Sequence, residues 1–247
     1  MRACVIIPAR FKSSRFPGKP LVKLLGKEMI IWVAELSSQA VGKNNVYIAT
    51  DNFKIVSKAR ENGFKSIMTS SELLTGTDRV AAASLDLDYD IYVNVQGDEP
   101  LIDPNDILRS IKFKQQFPSS IINSYCFLKN DENPENKNIP KVITNENNDL
   151  IYISRALIPN SKNDENKIRY KKQVCIYSFF KDELKLFLSF GRKSFIEKIE
   201  DIEILRFFEF GKNIKMLETA KSSLAVDVIS DVDKVEQELK SQINNAK

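Results

Sequence analysis

Four cations fall within ten residues, Arg10, Lys12, Arg15 and Lys19 in RFKSSRFPGK, and no acidic residue follows them until Glu28. Like charges at this spacing repel one another unless an anion sits between them. Arginine presents phosphate oxygens with a planar fork of donors, and lysine presents a point charge. A triphosphate is the anion this set suits. Ser13 and Ser14 add hydroxyl donors, Gly18 lets the backbone approach a ligand, and Pro17 and Pro20 fix the path. The alternative is a solvated basic loop. The stretch is not a P-loop, since GKP lacks the Ser/Thr and the earlier Gly, and it is not the GxGxxG dinucleotide pattern.

A second group lies in YVNVQGDEPLI (92–102), where an apolar run leads straight into Gln96-Gly97-Asp98-Glu99-Pro100. Mg²⁺ takes one or two carboxylates together with phosphate oxygens and water. Asp98 suits that role, with Gln96 donating to a substrate hydroxyl; a plain Gly-Asp turn is the alternative. Asp227 in LAVDVIS is a carboxylate among apolar residues and needs a partner. A shared ion with Asp98 is one partner, and the N-terminus of the following helix is another. LTGTDR (74–79) sets Gly76 between Thr75 and Thr77 ahead of a helix, where free amides suit a phosphate or a base edge. Asp78 and Arg79 there could equally pair locally. Arg155 in ISRALIP and Arg206 in EILRFFE stand beside apolar residues, and each could hold a carboxylate or snorkel from a core face. The chain has no histidine, which removes Ser-His-Asp and Cys-His catalysis and imidazole-based zinc sites.

The elements that must position these groups alternate in period. CVIIPA (4–9), NVYIATD (45–51), KSIMTS (65–70) and DIYVNVQ (90–96) read as strands. MIIWVAELSSQA (29–40), FKIVSKAREN (53–62), TDRVAAASL (77–85) and PNDILRSIKFKQQF (104–117) read as helices. The alternation predicts an α/β fold with a parallel sheet covered on both faces. The basic loop and the Gln96–Asp98 segment then lie at carboxyl ends of strands, where open α/β sheets bind ligands. In the second half, SSIINSYCFL (119–128), PKVITN (140–145), DLIYISR (149–155) and KQVCIYSFF (172–180) read as an antiparallel addition with polar Asn-rich loops at 129–138 and 160–172. One long helix around 200–210, a last strand at 224–228 and a C-terminal helix complete the expectation.

Composition narrows the partners. With 37 basic and 33 acidic residues the net charge is +4, too small and too mixed for a nucleic-acid binder, so the cationic loop points to a small anion. No apolar run approaches the roughly 20 residues of a membrane span. The N-terminal apolar stretch, interrupted by Pro8 and Arg10, is too short for a signal peptide. Three cysteines without a CxxC pair predict a reducing, cytoplasmic setting.

The order IIPARFKSSRFPGKPL, ATD, TGTDR, VNVQGDEPLI, YISRALIP, EDIEILRFFEFG and AVDV resembles the cytidylyltransferases that activate acidic 3-deoxy-2-keto sugars, above all the 3-deoxy-manno-octulosonate cytidylyltransferase (CMP-KDO synthetase) family. The resemblance runs from about residue 2 to about residue 240. It implies a Rossmann-like nucleotidyltransferase fold with a mainly parallel central sheet and an antiparallel dimerisation or sugar-side addition. It implies one domain, 1–247, with a nucleotide-binding half (1–118), an antiparallel arm (119–180) and a sugar- and metal-side segment (181–247). The implied reaction transfers CMP from CTP to an acidic keto-sugar and releases pyrophosphate, with Mg²⁺ as cofactor, a homodimer as the working form and a place in lipopolysaccharide biosynthesis. Carried over residue by residue, Pro8, Ala9, Arg10, Arg15, Lys19, Thr75, Gly76, Thr77, Arg79 and Gln96 would meet the nucleotide. Arg15, Lys19 and Asp98 would serve the chemistry, and Asp98 and Asp227 would hold the metal. Gln96, Arg155, Gln173, Tyr177, Glu203 and Ile204 would face the sugar.

Two departures fall on the sugar side. Octulosonate-specific members carry a His before L-G-[IV]-Y, where this chain has Gln173-Val174-Cys175-Ile176-Tyr177. They carry E-Q-L-R where this chain has Glu203-Ile204-Leu205-Arg206. The substrates kept open are therefore the octulosonate, its 8-amino analogue and a sialic-type nonulosonate. A non-catalytic nucleotide-binding regulator is the rival of another class. A NAD-linked oxidoreductase is disfavoured by the missing GxGxxG and by the cationic loop.

Overall fold

The computed structural model describes residues 1–12, 16–163, 168–219, 224–226 and 228–245. The first half runs β1 (Ala3–Ala9), a small hairpin of β2 (Lys23–Leu24) and β3 (Lys27–Glu28), α1 (Met29–Val41), β4 (Val46–Thr50), α2 (Phe53–Glu61), β5 (Lys65–Met68), α3 (Gly76–Ser84), β6 (Ile91–Val95) and α4 (Pro104–Gln116). The second half runs β7 (Ile121–Phe127), β8 (Lys141–Thr144), β9 (Leu150–Ser154), β10 (Lys171–Phe180), α5 (Lys181–Ser189), α6 (Phe195–Glu200), α7 (Leu205–Glu209), β11 (Ile214–Glu218) and α8 (Asp231–Asn245). Local chemistry starts several helices. Asn52, Thr75 and Asp103 accept hydrogen bonds from the amides of Lys54, Asp78 and Asn105, satisfying donors the helix cannot pair.

The main sheet is ordered β11-β7-β10-β6-β1-β4-β5. β6, β1, β4 and β5 are mutually parallel. β10 lies antiparallel between β6 and β7, and β11 returns parallel to β7. β8 pairs with both β10 and β9, antiparallel in each case, which builds the arm. The fold is thus the α/β architecture expected, a mainly parallel sheet with an antiparallel addition. From β1 the chain winds outward through β4 and β5 and returns on β1's other side as β6. Strand order reverses between β1 and β6, so their carboxyl ends open side by side into a crevice. One sheet face packs Cys4, Ile6 and Phe179 against α3 and α5; the other packs Val5, Ile7 and Val93 against α1, α2 and α4. A third cluster seats α8, through Val235 and Leu239, on Leu24, Met29 and Leu101.

Two expectations are corrected, and two elements are new. The long helix around 200–210 is two short ones, α6 and α7, because Asp201 ends α6 in the left-handed region at φ 51°. The last strand at 224–228 is not formed by residues 224–226 or 228. Val226 instead donates its amide to the Asp98 carbonyl at 3.0 Å and tucks its side chain beside Leu101. The edge strand is β11, whose Ile214 and Met216 point inward. α5, also absent from the sequence reading, buries Leu184 and Phe187 one helical turn apart.

Candidate active site

β1 ends in Pro8 and Ala9 and releases the cationic loop at Arg10. Gly18, at φ 73°, takes a left-handed turn that only glycine adopts without strain. Its amide bonds to the Phe11 carbonyl at 3.0 Å and closes the loop on itself. Lys19 opens a short 3₁₀ turn over Lys19–Leu21. Its ammonium donates to Asp98 Oδ2 at 2.6 Å, joining the exits of β1 and β6. Gly97 makes the approach possible: a Cβ there would stand 2.9 Å from the Pro8 carbonyl oxygen. Arg10 reaches the other way and donates to the Leu74 carbonyl at 3.0 Å, beside the TGT turn. Arg15 and Asp227, with Ser13 and Ser14, lie outside the described residues.

The TGT turn is held from across the chain. Glu203 accepts from the amides of Gly76 (2.9 Å) and Thr77 (2.8 Å) and from the Thr77 hydroxyl. Burial pushes the Glu203 carboxyl above the usual carboxylate range, against these donors, which favour its ionised form. Asp78 accepts from Thr75 Oγ1 at 2.6 Å and from both terminal nitrogens of Arg206, which also binds Glu197. Arg206 is wholly buried, so it neither snorkels nor reaches a ligand; the carboxylates it holds belong to its own chain. Arg79 is 1% exposed and pairs with Asp51 at 3.2 Å, not with Asp78. Burial lowers its pKa below the ordinary arginine value. Ile204 is likewise a core residue at 1% exposure.

A cleft of about 660 Å³ opens beside Asp98 and runs between β10, the loop after β7 and the α6–α7 turn. Gln96, Asp98, Arg155, Gln173, Tyr177 and Glu203 line it, so the structure brings together six of the residues singled out in the sequence. A smaller polar cavity of about 230 Å³ holds Arg10 and Thr75 and shares Asp201, Ile202 and Glu203 with the cleft. Gln173 donates to Asn123 Oδ1 (2.9 Å) and to the Tyr177 hydroxyl (3.2 Å). Burial pushes the Tyr177 phenol and the adjoining Cys175 thiol well above their ordinary values, so both stay protonated at neutral pH. Arg155 donates through Nε, Nη1 and Nη2 to the carbonyls of Glu200, Lys137 and Asp201, clasping the α6 end to the arm loop. Sequence reasoning missed Lys172 and Glu132, which pair within this cleft. The Lys171-Lys172 doublet entering a strand was the only signal. Among the described residues no three Asp, Glu or Cys side chains cluster as a metal site.

Glu203 and Thr75 thus take the α3 amides that the sequence left open for a ligand. A doubly wound sheet whose switch point carries a cationic loop, a helix start held by a buried carboxylate and a polar cleft defines a nucleotide-binding α/β protein of the nucleotidyltransferase type. The cytidylyltransferase family model matches residues 4–214. The chain is 36% identical to the 3-deoxy-manno-octulosonate cytidylyltransferase of Escherichia coli over 95% of its own length and 94% of the relative's. It is also 36% identical to the 8-amino-3,8-dideoxy-manno-octulosonate cytidylyltransferase of Shewanella baltica, over 97% and 99%. A solved CMP:2-keto-3-deoxy-manno-octonic acid synthetase complexed with CTP superposes with a TM-score of 0.90 at 34% identity, covering 98% of this chain and all of that one. The chain belongs to the cytidylyltransferase family and is a CTP-dependent nucleotidyltransferase. No helix among the described residues is long and apolar enough to cross a membrane.

Proposed function

We propose that the protein transfers CMP from CTP to the anomeric hydroxyl of an acidic 3-deoxy-2-keto sugar, with 3-deoxy-manno-octulosonate as the first candidate. The observation that carries this reading is the Lys19–Asp98 contact at the mouth of a cleft large enough for a sugar. The triphosphate lies along the basic exit of β1, with Arg10, Arg15 and Lys19 as its cations. Pro8, Ala9, Thr75, Gly76, Thr77 and Gln96 line the nucleoside, and Arg79 supports them from beneath through Asp51. The sugar occupies the cleft against Gln96, Arg155, Gln173, Tyr177 and Glu203.

The anomeric oxygen attacks the α-phosphorus in line. The new P–O bond forms as the bond to the β-phosphate breaks, pyrophosphate departs and the hydroxyl proton passes to solvent. Such transfer depends on positioning and on stabilising developing charge more than on covalent help from the protein. Lys19 and Arg15 offset charge on the leaving pyrophosphate. The acceptors present fit Mg²⁺: Asp98 offers a carboxylate at the strand end, and the Val226–Asp98 hydrogen bond ties the segment that precedes Asp227 to the same turn. Held by Asp98 and Asp227, the ion would act as a Lewis acid on the phosphate and lower the pKa of the attacking hydroxyl.

The 8-amino octulosonate is the second candidate, favoured by Gln173 in the cleft wall and by the Shewanella baltica relative. Pyrophosphate release from CTP and Mg²⁺, measured with each acid and with a nonulosonate, tests the reading. We expect release that requires an acid, with a CMP-sugar as co-product. CTP binding without release on any acid would instead make the chain a nucleotide-binding regulator. A homodimer belongs to the same proposal. It is supported by exposed apolar Ile151 on β9 and Phe195 and Ile199 on α6, elements joined through Glu200. Sedimentation equilibrium should give twice the 28.2 kDa chain mass, and a single-chain mass at micromolar protein would reject it.

A further inference from the structure

A 2-keto sugar acid carries its carboxylate on the same carbon as the attacking hydroxyl, so a cation has to stand near the reacting centre. Seven carboxylates line the described part of the cleft and only three cations, Arg155, Lys172 and Lys234, so an entering acid meets net repulsion unless one cation is placed to receive it. Arg155 is engaged by three backbone carbonyls. Lys234 is exposed on α8. Lys172 is 7% exposed and sits on β10, opposite Cys126 of β7 and Lys141 of β8. Lys172 lines the same cleft as Gln96, Asp98, Glu99 and Gln173. The ammonium is therefore carried by a strand of the sheet, in the cleft that Asp98 also lines.

Its partner is mounted differently. Glu132, which binds the Lys172 ammonium, lies between β7 and β8 in residues 128–140, which form neither helix nor strand. The bonds inside that segment are short-range: Glu132 accepts from the Lys129 amide, Asn133 from Glu135 and Asn136 from Asn138. A buried ammonium is costly without a counter-charge. Here the counter-charge is a carboxylate on a loop, in the cleft where a carboxylate must bind.

We propose that Lys172 receives the carboxylate of the sugar acid, and that Glu132 holds its place in the empty cleft and is displaced when the acid enters. One carboxylate exchanges for another, so the buried ammonium is paired throughout and no extra charge is buried on binding. The loop carrying Glu132 thereby reports occupancy of the cleft. This inference rests on reading the cleft as the acid-sugar site.

Initial rates of pyrophosphate release test it in the full chain, with the octulosonate or its 8-amino analogue varied at saturating CTP, and CTP varied at saturating acid. Lys172→Met and the double variant Lys172→Met/Glu132→Gln should raise KM for the acid at least ~30-fold, the loss of a partnered buried charge, while KM for CTP stays within about two-fold. The double variant leaves no orphaned carboxylate, so it separates loss of the cation from local unfolding. Lys172→Arg should recover most of the loss. Glu132→Gln should lower KM for the acid a few-fold, because an amide competes less well than a carboxylate for the ammonium. An unchanged KM for the acid in Lys172→Met, or a KM that does not fall in Glu132→Gln, overturns the proposal. If the wild-type chain is inactive on every acid, the reading of the cleft falls and this inference with it. An active wild type indifferent to Lys172 sinks the inference alone.

Discussion

At the scale of single residues, the contact between Lys19 and Asp98 carries most of the functional reading. Their side chains are 16% and 26% exposed, so the pair is partly buried yet still open to solvent. In the proposed reaction the two exchange this contact for ligand, the lysine for an anion and the aspartate for a cation. Lys19→Ala and Asp98→Asn should each lower kcat by about 10²–10³, the loss of a charge contact made in the transition state, while Tm stays within a few degrees. Turnover near the wild-type rate in either variant would remove that residue from the chemistry. Cys126 makes a prediction of a different kind. Burial raises its thiol from about 9 to about 11. The folded state keeps this proton at pH values where the unfolded chain has lost it, so stability present below pH 9 declines as pH climbs towards 11. Between pH 8 and pH 10 the decline should be about 1.3 kcal/mol and should be absent from Cys126→Val, with urea denaturation at pH 8, 9 and 10 as the measurement. Equal declines in both proteins would assign the effect to other groups.

At the scale of elements, the N-terminus of α3 is fastened to the α6–α7 segment. Glu203 holds the amides of Gly76 and Thr77, and Arg206 spans Asp78 and Glu197. The two cavities therefore share one buried framework, and Ile202–Glu203 forms a wall common to both. Removing Arg206 alone leaves two buried carboxylates facing each other. Arg206→Leu should cost about 3–5 kcal/mol in urea unfolding, and adding Asp78→Asn and Glu197→Gln should restore a large part of it. A single variant that loses less than about 1 kcal/mol would show that the network bears no structural load.

At the scale of the molecule, what could be read in the chain divides along a physical line. β1, β4 and β6 are apolar runs buried on both faces, and α1, α2 and α4 carry helical apolar spacing, so local pattern alone places them. The strand-end position of Arg10–Lys19 and Gln96–Asp98 follows from that alternation. β11 was not legible because five residues, IKMLE, offer too short an alternation, and the break at Asp201 has no Gly or Pro to announce it. The ion pairs were hidden for another reason. Arg206 meets Asp78 across 128 positions and Lys172 meets Glu132 across 40, separations that no spacing rule covers. Arg79 and Asp78 are adjacent in sequence yet serve different partners, because successive residues on a helix point to different sides.

The central claim is that the triphosphate of CTP and its divalent ion are gripped between the basic exit of β1 and the turn after β6. A crystal structure of the chain with CTP and Mg²⁺ tests this most directly. The account predicts the β- and γ-phosphates against Arg15 and Lys19, with the Lys19 ammonium turned from Asp98 to phosphate and the ion bound by Asp98 and Asp227. Phosphates found away from the 10–19 loop, or an ion bound without Asp98, would contradict it.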